Sequence, residues 1–258
     1  MAKPSSSSKT KPRSKTKGRS KPRQGSLLHR LQRIFNLVRL LAVLLLLLIV
    51  GRAAGYALPG LENLTRRGSW FPAGGAHVAL ILGHAGSDTG AICTDPEGRP
   101  TLTEAAITRE VGELVAQKLR RAGAQVTLLE EYDPRLEGLQ ADLLLSLHAD
   151  SCIDASGYKA ARSQESRIPQ VEDRILACID REYSAATGLP AHPNTVTHNM
   201  TLYHAFRRVD PETPAAILEM GFLGGDQALL TEHPETVARG VVESILCFLN
   251  PEEISSSP

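Results

Sequence analysis

Four side chains in this 258-residue chain have the types and settings that hydrolytic chemistry requires. They are His84 in Gly83-His84-Ala85-Gly86, Glu104 in Leu102-Thr103-Glu104, His148 in Ser146-Leu147-His148-Ala149-Asp150, and Glu219 in Leu218-Glu219-Met220-Gly221-Phe222. Two imidazoles and a carboxylate suffice to hold a catalytic zinc ion with one position left for water. Zinc brings the pKa of that water toward ~7 and polarises a carbonyl. A second carboxylate beside the water can take its proton and pass it to a leaving amine. The set therefore suits hydrolysis of an amide. The gaps between the four are 20, 44 and 71 positions, so no short metal motif binds them together. A lone histidine has an ordinary explanation as a core or surface residue, and Glu104 as an acid in the first turn of a helix. Glu219 resists that treatment, because an apolar strand would bury an unpaired carboxylate at high cost.

The elements that must position these residues are legible. His77–Leu82 (HVALIL) is a short apolar run of the buried-strand kind. Thr103 can cap a helix running to Arg121, with Ile107, Val111, Leu114, Val115 and Leu119 on one face and Gly123 as its stop. Further strands are expected at residues 125–129, 141–147 and 215–218. Further helices are expected at residues 168–186, ended by Gly188 and Pro190, and at residues 234–249. Strands alternating with helices predict an α/β domain, a mostly parallel twisted sheet with helices on both faces. In open α/β sheets the site lies beyond the carboxyl ends of the strands. His84 follows the first strand, and His148 and Glu219 end the third and fourth, so all three are expected on one rim. Glu104 joins them if residues 85–103 fold back over that rim.

At these residues the chain resembles the zinc-dependent N-acetylmuramoyl-L-alanine amidases of the type-3 kind. The resemblance covers residues 76–249 and rests on four stretches in order. These are Gly-His-x-Gly-x-Asp-x-Gly-Ala (Gly83 to Ala91), Leu-x-Glu (Leu102 to Glu104), Ser-Leu-His-Ala-Asp-Ser (Ser146 to Ser151) and Pro-Ala-x-x-x-Glu-Met-Gly-Phe-Leu (Pro214 to Leu223). It implies that His84, Glu104 and His148 bind zinc and that Glu219 is the general base or acid. The substrate implied is peptidoglycan, cut at the amide between N-acetylmuramic acid and L-alanine. The chain departs from the family pattern at Ala85, at Asp150 where Asn is common, and at Gly224-Gly225 where Ser-Asn is common. The stretch after His148 is too short for the helix that plugs the site in some members, so an open site is expected. Two other readings stand beside this one: a zinc peptidase of similar fold, and an inactive wall-binding module.

Charge is divided along the chain. Residues 1–39 hold 12 Lys and Arg and no acid, leaving 17 basic residues against 28 acidic ones in the remainder. Residues 1–33 read as a basic disordered tail. Residues 34–58 contain the apolar run Leu40 to Val50 and read as a transmembrane anchor or signal segment, with the tail inside. Residues 59–75 are a linker, 76–250 the catalytic domain and 251–258 a disordered tail. The expected partners are peptidoglycan and, through the N-terminal segment, a membrane; no nucleic acid is expected, and the chain is expected to be a monomer. Its place is the outer side of the cell membrane, or the secreted or periplasmic space if the segment is cleaved.

Cys93, Cys152, Cys178 and Cys247 show no CxxC spacing. In an exported domain they permit two disulfides with three connectivities. Cys93 and Cys152 each follow a motif histidine closely and could be neighbours. His192, His198 and His204 form a further group, expected to be a substrate-facing loop rather than a second metal site. Tyr203 and Phe206 could meet sugar or peptide, or pack in the core. Arg207 and Arg208 could meet peptide carboxylates, or remain a solvated pair.

Overall fold

A computed structural model describes residues 31–44 and 71–250, which fall in two separate compact units, residues 1–65 and 66–258. In the first unit residues 31–44 form helix α1. Its Ile34, Phe35, Leu37, Val38, Leu40 and Leu41 are exposed. The remainder of the expected anchor, the linker and both tails lie outside the described residues. No helix among the described residues is long and apolar enough to cross a membrane.

The second unit is built on a five-stranded sheet. Its strands are β1 (His77–Leu82), β4 (Gln125–Glu130), β5 (Leu143–Asp150), β6 (Lys159–Arg162) and β7 (Ala215–Phe222), in the order β4-β1-β5-β7-β6. The first four in that order run parallel, and β6 is antiparallel to β7. A separate hairpin joins β2 (Ile92–Thr94) to β3 (Pro100–Thr103). The central strands are continuous apolar runs because both of their faces are covered. Alternation sorts their side chains: Val78 and Leu80 join one buried cluster, Ala79 and Ile81 the other.

The larger cluster is filled by the long helices α2 (Glu104–Arg121), α3 (Pro169–Cys178) and α7 (Pro234–Leu249). Helix α2 presents Ile107, Val111, Val115 and Leu119, all buried, at helical spacing. The Thr103 hydroxyl caps it, accepting from the Ala106 N–H at 3.3 Å. Helix α7 starts with Pro234, whose missing N–H costs nothing at that position, and buries Val237, Val241, Ile245 and Phe248. Beyond α3 comes a π-helical turn, Ile179–Tyr183, then α4 (Ser184–Thr187), closed by Gly188 at φ 75°. Tyr183 in that turn donates to the Met220 carbonyl at 2.6 Å, bracing β7 beside Glu219. Two disulfides, Cys93–Cys152 and Cys178–Cys247, use all four cysteines.

Three expectations need correction. The long helices cover one face of the sheet, not both. The other face carries the small side chains Ala79, Ala161 and Ala215, and is closed by a thin layer containing Leu136, Met200 of α5 (His198–Thr201), Tyr203, Ala205 and Val209. β5 and β7 do not stop at His148 and Glu219. Their pairing continues to Asp150 and Phe222, with a register irregularity between His148 and Asp150, so both site residues lie within strands. Finally, residues 85–103 contain the β2-β3 hairpin, two strands beyond the four expected.

Candidate metal centre

Each parallel strand delivers one polar side chain to the same end of the sheet. His84 follows β1 in a tight turn and has φ 64°, the sole non-glycine residue with positive φ among the described residues. Such a backbone is disfavoured for any side chain larger than glycine and persists only where neighbours hold it. His148 and Glu219 are direct cross-strand partners on β5 and β7. Glu131, which sequence reasoning missed, follows β4 and is 4% exposed. A carboxylate directly after an apolar strand was the available signal for it.

Glu104 enters from the start of α2. The hairpin brings it there: the Glu104 N–H donates to the Ala91 carbonyl at 2.9 Å, and the Ala91 N–H donates to Glu104 Oε2 at 3.0 Å. The same Oε2 lies 3.3 Å from His84 Nε2. Oε1 lies 2.9 Å from His148 Nδ1 and accepts from the Ala149 N–H at 3.1 Å. Glu104 and His148 are 5% and 6% exposed, whereas the His84 side chain is 28% exposed and leaves that side of the cluster open to water. Two glycines make the approach possible. A Cβ on Gly83 would lie 2.7 Å from the His148 ring, and one on Gly90 2.7 Å from His84 Cδ2.

The far nitrogens of the two rings also have carboxylates nearby. His84 Nδ1 is 2.5 Å from Asp88 Oδ1. His148 Nε2 is 3.4 Å from the Tyr203 hydroxyl and 3.7 Å from Glu131 Oε2. Asp88 is held below the usual carboxylate range by the Gly90 N–H and by His84. Burial pulls the His148 pKa down, but the Glu104 hydrogen bond and the charges of Glu219, Glu104 and Glu131 outweigh it and raise the group overall.

Glu219 lies on the opposite flank from Glu131 and is partly buried. Its Oε2 is sealed from solvent and has no hydrogen-bond partner. Burial pushes its pKa up to about 7; His148 and Lys159 oppose the rise, Glu104 and Asp150 assist it. Lys159, a second residue not foreseen, is its cross-strand partner on β6. The Lys159 ammonium is paired with Asp150, donates to the Thr195 carbonyl at 3.1 Å and lies over the Phe222 ring. Asp150, one of the departures from the family pattern, is thus neutralised within the chain.

His84, Glu104 and His148 can each offer one ligand atom, all within 4.8 Å of one another. Two imidazole nitrogens and a carboxylate oxygen, two of the three ligands buried and His84 partly open, with the partnerless acid oxygen of Glu219 on the neighbouring strand, fit a divalent cation of the zinc type. His192, His198 and His204 form no second group of this kind among the described residues. His192 instead bonds Thr195 at 2.8 Å, and His204 bonds Glu131 at 2.9 Å. Tyr203 is buried, with its hydroxyl on Glu131, and Phe206 packs against the thinner core layer. Arg208 does not point free into solvent, for it pairs with Glu137 at 2.6 Å and donates to the Asp133 carbonyl. Arg207 is exposed.

The type-3 amidase family model, described as N-acetylmuramoyl-L-alanine amidase, matches residues 78–246. The chain belongs to this family. All four motif residues of the amidase fall inside the matched span. No protein of curated function matches the amidase. Among solved structures it is similar to the CwlD amidase from Clostridioides difficile, solved in complex with the GerS lipoprotein, at 18% identity and a TM-score of 0.53, covering 68% of this chain and 99% of that one. It is also similar to AmiC2 of Nostoc punctiforme, at 20% identity and a TM-score of 0.52, covering 67% and 97%. Ami1 from Mycobacterium smegmatis matches at 17% identity and 0.52, covering 69% and 98%. At these identities the neighbours establish a shared fold for the amidase domain.

Proposed function

We propose that this amidase hydrolyses the amide between N-acetylmuramic acid and L-alanine in peptidoglycan, with zinc held by His84, Glu104 and His148. The observation that carries the reading is the convergence of those three ligand atoms within 4.8 Å, with Glu219 as the strand partner of His148. Bound there, zinc acidifies water and polarises the scissile carbonyl. The rest is the work of the chain. Glu104 aligns both imidazoles, and its own oxygens are fixed by the Ala91 and Ala149 N–H groups. Glu219 holds a proton or releases it near neutral pH, which suits a group that takes a proton from water and returns it to the leaving amine. Lys159 and Asp150 fix the charge beside it.

We further propose that the enzyme acts outside the cytoplasmic membrane, tethered by residues 34–58 or released after their cleavage. The basic tail before the apolar run supports that orientation. Two disulfides with no free cysteine support an oxidising compartment. The short stretch after His148 supports an open site, so an added activator protein should change the rate less than about twofold.

Mass spectrometry of muropeptides after digestion with the full chain tests the reaction. The expected products are glycans with a free lactyl carboxylate and peptides with a free L-alanine amine, lost with a chelator and restored by zinc. Products cut within the peptide, with the sugar amide intact, would replace this reading with the peptidase one.

A further inference from the structure

We propose that Glu131 is a positioning residue for the metal centre, holding both histidines in the orientation that a cation requires; this rests on the zinc reading above. A carboxylate that is 4% exposed is tolerated only when donors surround it. Here the donors lead to both histidines. Glu131 Oε2 accepts the His84 N–H at 3.0 Å, and the Glu131 N–H donates to the Ala85 carbonyl at 3.0 Å. Glu131 thus clamps the turn that keeps His84 at φ 64°, a conformation that needs external support.

The second tie runs to His148. That ring presents Nδ1 to Glu104, so binding a cation through Nδ1 requires the proton to sit on Nε2. Nε2 faces the Tyr203 hydroxyl at 3.4 Å and Glu131 Oε2 at 3.7 Å. The hydroxyl in turn donates to Glu131 Oε1 at 2.9 Å and accepts from Ser146 Oγ at 3.0 Å. His204 Nε2 lies 2.9 Å from the same Oε1 and braces it from the other side. A carboxylate behind a ligating histidine fixes its tautomer and ring orientation. Asp88 serves His84 from four residues away, whereas Glu131 reaches the segments of both ligands from the turn that follows β4.

The test is zinc affinity of the full chain, measured by competition with a chromophoric chelator, alongside the visible spectrum of the cobalt-substituted protein. For Glu131→Gln the zinc Kd should rise about 10–100-fold, with a shifted cobalt spectrum. Tyr203→Phe keeps the ring and removes only the hydroxyl. It should raise the Kd severalfold, and it carries the test if Glu131→Gln does not fold. Zinc binding within twofold of wild type in the folded variants, with an unchanged cobalt spectrum, would overturn the positioning role while leaving the zinc reading intact. A wild-type chain that binds no zinc would overturn both.

Discussion

The strand order puts the two histidines in the middle of the rim, with Glu131 on one flank and Glu219 on the other. Both are acids placed by parallel strands, yet they are treated in opposite ways. Glu131 is saturated with donors: burial works to raise its pKa, but His204, the His148 charge, the His84 N–H and the Tyr203 hydroxyl hold it down at about 2. Glu219 has an oxygen with no partner and is pushed up to about 7. An acid locked in its charged form can hold neighbours in place but cannot exchange protons near neutral pH. An acid left short of donors can. On the roles proposed above, one sheet edge would supply a clamp in Glu131 and a proton carrier in Glu219 from the same functional group, by changing only what surrounds it.

The largest effect that would sharpen this contrast is on turnover. Glu219→Gln should lower the rate of wall hydrolysis by about 10³-fold, within the range for loss of a general acid or base, while bound zinc stays at the wild-type level. Turnover within tenfold of wild type would break the contrast at its active end.

The next effect is on stability, and it should differ in sign between the two flanks. In the metal-free chain the Glu219 pKa is raised from 4.5 to about 7. The folded state then binds the proton more tightly than the unfolded one, and stability is lost as pH rises from 4.5 through 7. Glu219→Gln should therefore gain on wild type over that window, by about 3 kcal/mol at its upper end. The Glu131 pKa is lowered from 4.5 to about 2. Its contribution is present above 4.5 and is lost as pH falls toward 2. Glu131→Gln should therefore be weaker than wild type by about 3 kcal/mol at neutral pH, with the gap closing in acid. Thermal unfolding from pH 3 to 8 reads both trends; parallel trends in the two variants would contradict the assignment.

How much of this could be read beforehand depended on whether the partner was local. β1, α2 and α7 lie where their apolar patterns and caps put them, because strand burial, Thr103 and Pro234 are short-range signals. His84, Glu104 and His148 were recognisable, and the structure brings them together. Glu131 was not, since it sits in an ordinary acidic turn whose meaning comes from Tyr203 and His204, 72 and 73 residues away. β6 (KAAR) was missed because it has too little apolar surface to announce a strand and is defined by pairing with β7. Its Lys159 was hidden with it. The hairpin was passed over because Ile92–Thr94 is only three residues long.

The smallest effect lies at the edge of the clamp. His204 has 22% of its side chain exposed, so water can replace its hydrogen bond to Glu131. His204→Ala should weaken zinc binding by no more than about fivefold, the size of one net hydrogen bond. A loss as large as that of Glu131→Gln would show that the clamp depends on its outer donor.

The most direct measurement of the central claim is an anomalous difference map, collected at the zinc absorption edge from crystals of the full chain grown with the metal. The account predicts one strong peak bounded by His84 Nε2, a Glu104 oxygen and His148 Nδ1, with the Glu219 carboxylate beside it and not bound to it. A peak elsewhere, or no peak among those three side chains in zinc-loaded protein, would contradict it.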